Sequence, residues 1–182
     1  MRAEEFEIAR RWMLAEISAR AVQLRETTGR AVFDERVMAA MGRVPRHEFV
    51  PIEFQSFAYA NIPLPIGFDK TISQPYVVAL MTDLLDVGPD DAVLEIGTGL
   101  GYQSAILAQL ARKVYSIEII EELGRQAKQR LRRQGCTNVE EFRLGVLGGA
   151  ERTLPPWLKV PAKRPQSKSV KTNKIAAEIA IT

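Results

Sequence analysis

Apolar residues recur three or four positions apart through the first part of the chain. Between residues 4 and 27, Phe6, Ala9, Met13, Ile17, Ala21 and Leu24 share one face, with Gly29 beyond them. That pattern predicts an amphipathic helix. Asp34 is a candidate N-cap for a second, short helix that stops at Gly42. From Arg43 to Thr71 no period persists, and six aromatics (counting His47 and Tyr59) with four prolines predict a long ordered loop. Such loops in compact domains often carry function. Helical spacing returns at Pro75, which suits a first turn, and Val77, Leu80, Met81 and Leu84 are expected as its apolar face up to Gly88-Pro89. The pattern then alternates. "AVLEI" reads as a strand, 102–111 as a helix, "KVYSIEI" as a strand, 121–134 as a helix ending at Gly135, and "NVEEFRL" as a weaker strand. Strands separated by helices of this length predict βαβ units, an α/β fold and a parallel sheet.

After about Leu144 the pattern is lost. "GVLGGAERTLPPWLKVPAKRPQSKSVKTNK" holds four prolines, three glycines and spaced lysines, and is expected to be an irregular tail. Its last nine residues, "KIAAEIAIT", are expected to form at most one short element. The tail also explains the net charge of +3. Residues 151–182 carry seven Lys/Arg against two Asp/Glu, whereas residues 1–150 carry eighteen against twenty. Basicity confined to a tail, with Trp157 its single nearby aromatic, does not describe a nucleic-acid-binding domain. No apolar run approaches the roughly 20 residues of a membrane span, and the N-terminal "MRAEEFEIARRW" lacks the apolar core of a secretory signal. The single cysteine, Cys136, excludes an internal disulfide and a multi-cysteine metal site. The expectation is a cytoplasmic protein with no metal, no nucleic-acid partner and no membrane partner.

The chemistry concentrates in "AVLEIGTGLGYQ", residues 92–103. A glycine-rich strand-to-helix turn lets a ligand approach the backbone and offers free N–H groups. A phosphate-binding P-loop requires Lys-Ser/Thr after its last glycine, where this chain has Tyr102-Gln103. A dinucleotide fingerprint requires Gly or Ala at position 102, which is Tyr102. Glu95, two residues before Gly97, suits a cationic or neutral ligand better than a pyrophosphate. Glu118 lies 21 residues beyond Gly97 at the end of the next strand, where an acid can accept both ribose hydroxyls. These features fit S-adenosylmethionine, with Glu95, Gly97, Thr98, Gly99, Gly101 and Glu118 as candidate cofactor residues.

Two further stretches, "RVPRHEFVP" (43–51) and "YANIPLPIGFDKTISQPYVVALMTDLL" (59–85), precede "VLEIGTGLGYQSAILA". Together they closely resemble the protein-L-isoaspartate O-methyltransferase family, over roughly residues 10–139. The resemblance implies a Rossmann-like S-adenosylmethionine-dependent methyltransferase fold. It implies methyl transfer to the α-carboxylate of L-isoaspartyl residues in damaged proteins, after which the ester cyclises to a succinimide that reopens partly to aspartate. It also implies that Ser73, in "TISQP", is the active-site serine, with Thr71 sharing substrate binding. Without the surrounding motif, Ser73 reads as a cap of the following helix and Thr71 as a loop threonine. His47, Tyr59 and Phe57 are expected to pack, and Cys136, with nothing basic to activate it, to be inert.

The chain departs from the family pattern in places. Asn61 stands where the family has Asp, and Asp69-Lys70 where it has Gly-Gln. The family's Gly-Asp-Gly turn at the third strand has no counterpart in "EEFRLGVLGGAE", where Val146 takes the nearest place. Later strands are missing too, as a frameshift or truncation would produce. The expected organisation is therefore N-terminal helices and substrate loop (1–72), a cofactor-binding βαβ half-domain (73–145) and a basic tail (146–182). The parallel-sheet half would leave Val93, Leu94 and Ile96 on an unpaired edge, open to self-association. The competing reading is a non-catalytic remnant or interaction module.

Overall fold

A computed structural model describes residues 2–23 and 32–143. Expectations concerning Leu24, Gly29, Val146 and the tail lie outside the described residues. Helix α1 (Ala3–Gln23) buries Phe6, Met13, Ile17 and Ala21, the face that the spacing predicts. Helix α2 (Glu35–Arg43) starts at Asp34, whose carboxylate accepts the Arg36 N–H at 2.7 Å. It runs one residue past Gly42.

The expected loop over 43–71 contains regular structure. Two 3₁₀ turns, Arg46–Phe49 and Ile52–Phe57, are followed by an antiparallel hairpin of β1 (Leu64–Gly67) and β2 (Lys70–Ile72). Its two-residue turn is Phe68-Asp69, at φ of 56° and 55°. Hairpin turns with two positive φ angles ordinarily announce themselves as Asn-Gly or Asp-Gly, so this one left no signal.

Helix α3 (Pro75–Leu85) places Pro75 in its first turn, as predicted. Its buried face is not the predicted one. Pro75, Val78, Ala79, Thr82 and Asp83 are buried, Val77, Leu80 and Met81 are half-buried, and Leu84 is 60% exposed. Hydrogen bonds turn the polar positions inward. The Asp83 carboxylate accepts the Asp34 N–H at 2.6 Å, and Thr82 Oγ1 bonds to the Val78 carbonyl and accepts from Gln103. The start of α3 is satisfied by Asn61, whose Oδ1 accepts the Tyr76 N–H while its Nδ2 donates to Glu16, both at 3.0 Å.

The predicted alternation follows: β3 (Ala92–Ile96), α4 (Tyr102–Ala108), β4 (Lys113–Glu118), α5 (Glu121–Arg133) and β5 (Val139–Arg143). The strands form a parallel sheet in the order β3-β4-β5, with Val93 beside Val114 and Val114 beside Val139. Helix α4 stops three residues before the expected 111 because the chain turns there, and Asn138 Nδ2 takes the carbonyls of Ala108 and Ala111. Right-handed crossovers put α4 and α5 on one sheet face. Accordingly Val93, Glu95, Val114 and Ser116 are buried, whereas Leu94, Ile96 and Tyr115 on the other face are half-buried.

Among the described residues β3 pairs with β4 alone. The side chains of Val93, Leu94 and Ile96 point to the faces, with Val93 at 1% exposure, so what the open edge offers is backbone N–H and C=O groups rather than an apolar strip. One hydrophobic cluster extends from Phe6 to Leu131, so the N-terminal helices and the sheet share a core across the expected 72/73 boundary.

Replacing Asn61 with Ala removes the acceptor at the start of α3 and the partner of Glu16. Urea unfolding of Asn61→Ala is expected to show a loss of about 1–2 kcal/mol. An unchanged midpoint would mean that neither bond contributes.

Candidate functional site

The C-terminal ends of β3 and β4 face the β2–α3 corner across a cavity of about 220 Å³. One wall is Lys70, Thr71, Ile72 and Ser73, with Val78 behind. The opposite wall is Ile96 to Leu100, and Ile117 to Ile120 with Leu123 close the end. A crevice beyond the carboxyl ends of parallel strands is where open α/β sheets bind ligands.

The glycine turn is fixed from below. The N–H groups of Gly97 and Thr98 both donate to the Ile117 carbonyl, at 2.8 and 3.2 Å, and Gly101 N–H closes the turn on the Thr98 carbonyl at 2.8 Å. Gly97, Gly99 and Gly101 have φ of 92°, 57° and 95°, which favours glycine at all three. Their surroundings differ. A Cβ on Gly97 would meet nothing within 4 Å, which leaves the backbone open to a ligand. A Cβ on Gly101 would approach Leu131 to 3.1 Å, so that glycine serves the packing of α4 on α5 and does not line the cavity.

The two acidic candidates are placed differently. Glu118 lines the cavity at 9% exposure. Its Oε2 accepts the Gly99 N–H at 2.8 Å, and its Oε1 accepts those of Ile119 and Ile120 at 2.8 and 2.9 Å. Three backbone donors thus hold the carboxylate between the glycine turn and the start of α5, where the helix dipole also favours an anion. Glu95 does not line the cavity. It is fully buried beneath the turn, and its Oε2 accepts hydrogen bonds from Ser104 and Ser116. Because Ser116 donates its proton to Glu95, the 2.6 Å contact of Thr98 with Ser116 has Thr98 as donor.

Ser73 and Thr71 lie together on the hairpin wall, and the Ser73 side chain makes no hydrogen bond among the described residues. It is not the cap of α3, because Gln74 occupies the N-cap position and Asn61 takes the N–H that a capping serine would. Lys70 stands exposed at the rim. Asn61 is structural.

His47 lies away from the cavity. Its ring stacks on Phe6 at 3.9 Å between centroids, and its Nδ1 meets the Tyr59 hydroxyl at 2.8 Å. Burial pushes its pKa below the usual histidine value. Phe57 is an exposed residue at 55%, not packed as expected, because it closes a 3₁₀ turn on the surface. Half-burial pushes the Cys136 thiol up, away from the reactive thiolate.

Tyr102, Gln103 and Ile66 also line the cavity and were not among the sequence candidates. Tyr102 and Gln103 directly follow the glycines, and that adjacency was the available signal. Ile66 sits on the hairpin that the sequence did not reveal. No described helix is long and apolar enough to cross a membrane. Among the described residues, no three His, Cys, Asp or Glu side chains gather as a metal site would require.

Residues 19–151 match the family described as protein-L-isoaspartate(D-aspartate) O-methyltransferase. Two relatives, both from Polaromonas sp. strain JS666, carry that enzyme's name. Protein-L-isoaspartate O-methyltransferase 1 is 60% identical over 140 residues, 77% of this chain and 59% of its own length. Protein-L-isoaspartate O-methyltransferase 2 is 60% identical over 133 residues, 73% of this chain and 63% of its own length. The chain thus spans about three-fifths of the length of these relatives. A solved structure of a putative protein-L-isoaspartate O-methyltransferase from Plasmodium falciparum, in complex with S-adenosyl-L-homocysteine, superposes with a TM-score of 0.57. It is 20% identical, over 71% of this chain and 60% of that one, a likeness of fold.

His47 yields a pH dependence. Its folded pKa is depressed, so the unfolded state binds the proton more readily, and stability rises with pH through this window. Stability is expected to be full above the unfolded value of about 6.5 and to fall as pH drops below it. Chemical unfolding at pH 7.5 and 5.5 checks this. His47→Phe, which keeps the stack on Phe6, is expected to flatten that difference.

Proposed function

The chain belongs to the protein-L-isoaspartate(D-aspartate) O-methyltransferase family, and from that premise we propose that it transfers a methyl group from S-adenosylmethionine to the α-carboxylate of L-isoaspartyl residues in damaged proteins. The observation that carries this reading is the cavity beyond the ends of β3 and β4. It brings the serine and threonine of "KTIS" opposite the glycine turn and Glu118.

The lining suits this cofactor. It is largely apolar, Gly97 leaves backbone open, and its acid, Glu118, is a ready acceptor for hydroxyl donors such as a ribose presents. When bound, S-adenosylmethionine would supply an electrophilic methyl group, the carboxylate oxygen forming the new C–O bond as the C–S bond breaks and the sulfur keeps that bonding pair as a neutral thioether. The residues have no strong base to provide, because the accepting carboxylate is already ionised at pH 7. Their task is to hold the acceptor oxygen in line and to exclude water. Ser73 and Thr71 present hydroxyls to that carboxylate, and Lys70 at the rim favours the approach of an anion. Gly97, Thr98 and Gly99 carry the cofactor side, whereas Glu95 and Gly101 act from behind by fixing the turn. The partners on this reading are isoaspartyl-containing proteins or peptides. A cytoplasmic setting accords with the lone cysteine, Cys136.

Calorimetric titration of the purified chain with S-adenosylhomocysteine is expected to show micromolar binding. Glu118→Ala is expected to weaken it at least about tenfold, from one charge-assisted hydrogen bond of about 1.5 kcal/mol to the lone pair that Oε2 keeps free. Methylation of an isoaspartyl peptide by the same sample then tests the activity. A well-folded chain that binds no S-adenosylhomocysteine would sink the reading.

A further inference from the structure

Arg46 is among the largest side chains that the fold closes off completely, at 0% exposure. Its Nε donates to the Ala58 carbonyl and its Nη2 to the Ser73 carbonyl, both at 2.8 Å. The guanidinium carbon lies 4.8 Å from the centre of the Tyr102 ring, and Nη1 has no hydrogen-bond partner among the described residues. Among the described residues, the groups around this cation are carbonyls and phenol rings, with no carboxylate among them. Burial lowers its pKa to about 10, so it stays charged at neutral pH.

A buried guanidinium without a carboxylate is an expensive device, and stability does not explain it. An apolar side chain would fill the space without the desolvation. Its place suggests another use. Ser73 and Tyr102 both line the cavity, one on the hairpin wall and one just after the glycine turn, and Arg46 touches both from behind. In that low-dielectric setting an uncompensated positive charge acts on whatever anion enters.

We propose that Arg46 is a positioning residue for the anionic substrate: bonded to the Ser73 carbonyl behind the cavity wall, it fixes Ser73 and supplies the positive potential that holds a substrate carboxylate against it. This rests on the reading above, in which that carboxylate is the methyl acceptor. As the new C–O bond forms and the C–S bond breaks, the negative charge of the carboxylate and the positive charge of the sulfonium both vanish. A nearby cation therefore favours the bound carboxylate more than the transition state, so that removing it weakens substrate binding without slowing the chemical step.

The test compares wild type, Arg46→Lys, which keeps the charge, and Arg46→Gln, which keeps a donor for Ser73 without the charge. Each is titrated calorimetrically with S-adenosylhomocysteine and then, saturated with it, with an isoaspartyl hexapeptide at low salt. All three are expected to take S-adenosylhomocysteine within about threefold of one another. The peptide is expected to bind Arg46→Lys within about threefold of wild type and Arg46→Gln about tenfold or more weakly. Where turnover is measurable, the loss is expected in KM for the peptide, with kcat of Arg46→Gln no lower than that of wild type. Equal peptide affinity in the two variants overturns the proposal. Loss of S-adenosylhomocysteine binding in both variants overturns it as well, since Arg46 would then be scaffold alone. A wild type that takes S-adenosylhomocysteine but not the peptide overturns the parent reading and this inference with it, an outcome distinguished by the wild type alone.

Discussion

The carboxylate of Glu95, sealed under the glycine turn, takes hydrogen bonds from Ser104 in α4 and from Ser116 in β4, and Ser116 takes one from Thr98 in the turn itself. One buried acceptor thereby joins the strand before the turn, the turn, the helix after it and the neighbouring strand. With Ser104 and Ser116 donating to Glu95, the polarity of the whole chain of hydroxyls is fixed. The turn above it is then free to hold three positive φ angles and to aim its N–H groups at Ile117 and Glu118. The cavity is shaped by that arrangement, although Glu95 never reaches it.

The sequence was legible where local rules act alone. The faces of α1, the Asp34 cap, Pro75 and the strand–helix alternation follow from spacing and capping. It was misleading where long-range hydrogen bonds decide. Thr82 and Asp83 face inward on α3 because Gln103 and the Asp34 N–H lie opposite them, information that no window around α3 contains. The site divides the same way. Glu118 and Gly97 stand on the cavity as their positions suggest, whereas Glu95 and Gly101 belong to its foundations. Spacing identifies a motif's members but not which way each side chain points. Arg46 was invisible for a related reason. Arginine in a polar-looking stretch reads as solvated, and its burial depends on carbonyls 12 and 27 residues away.

The cavity is electrically divided as a result. At one end Glu118 is held by three N–H groups, and at the other Lys70 and the hidden Arg46 flank the hydroxyls of Thr71 and Ser73. A cationic ligand and an anionic one would lie in it head to tail with little choice of orientation.

The hairpin that forms the second wall carries its own asymmetry. Phe68 and Asp69 both sit at positive φ without being glycine, and each holds about 1–2 kcal/mol of backbone strain. That strain is released whenever β1 and β2 part, so lifting the wall costs less than its ladder of bonds alone would suggest. The α/β core beneath carries no comparable strain outside its glycines and Asp86. Thr71 therefore rides on a two-stranded hairpin with strain in its turn, while Glu118 rides on β4, which is paired on both sides.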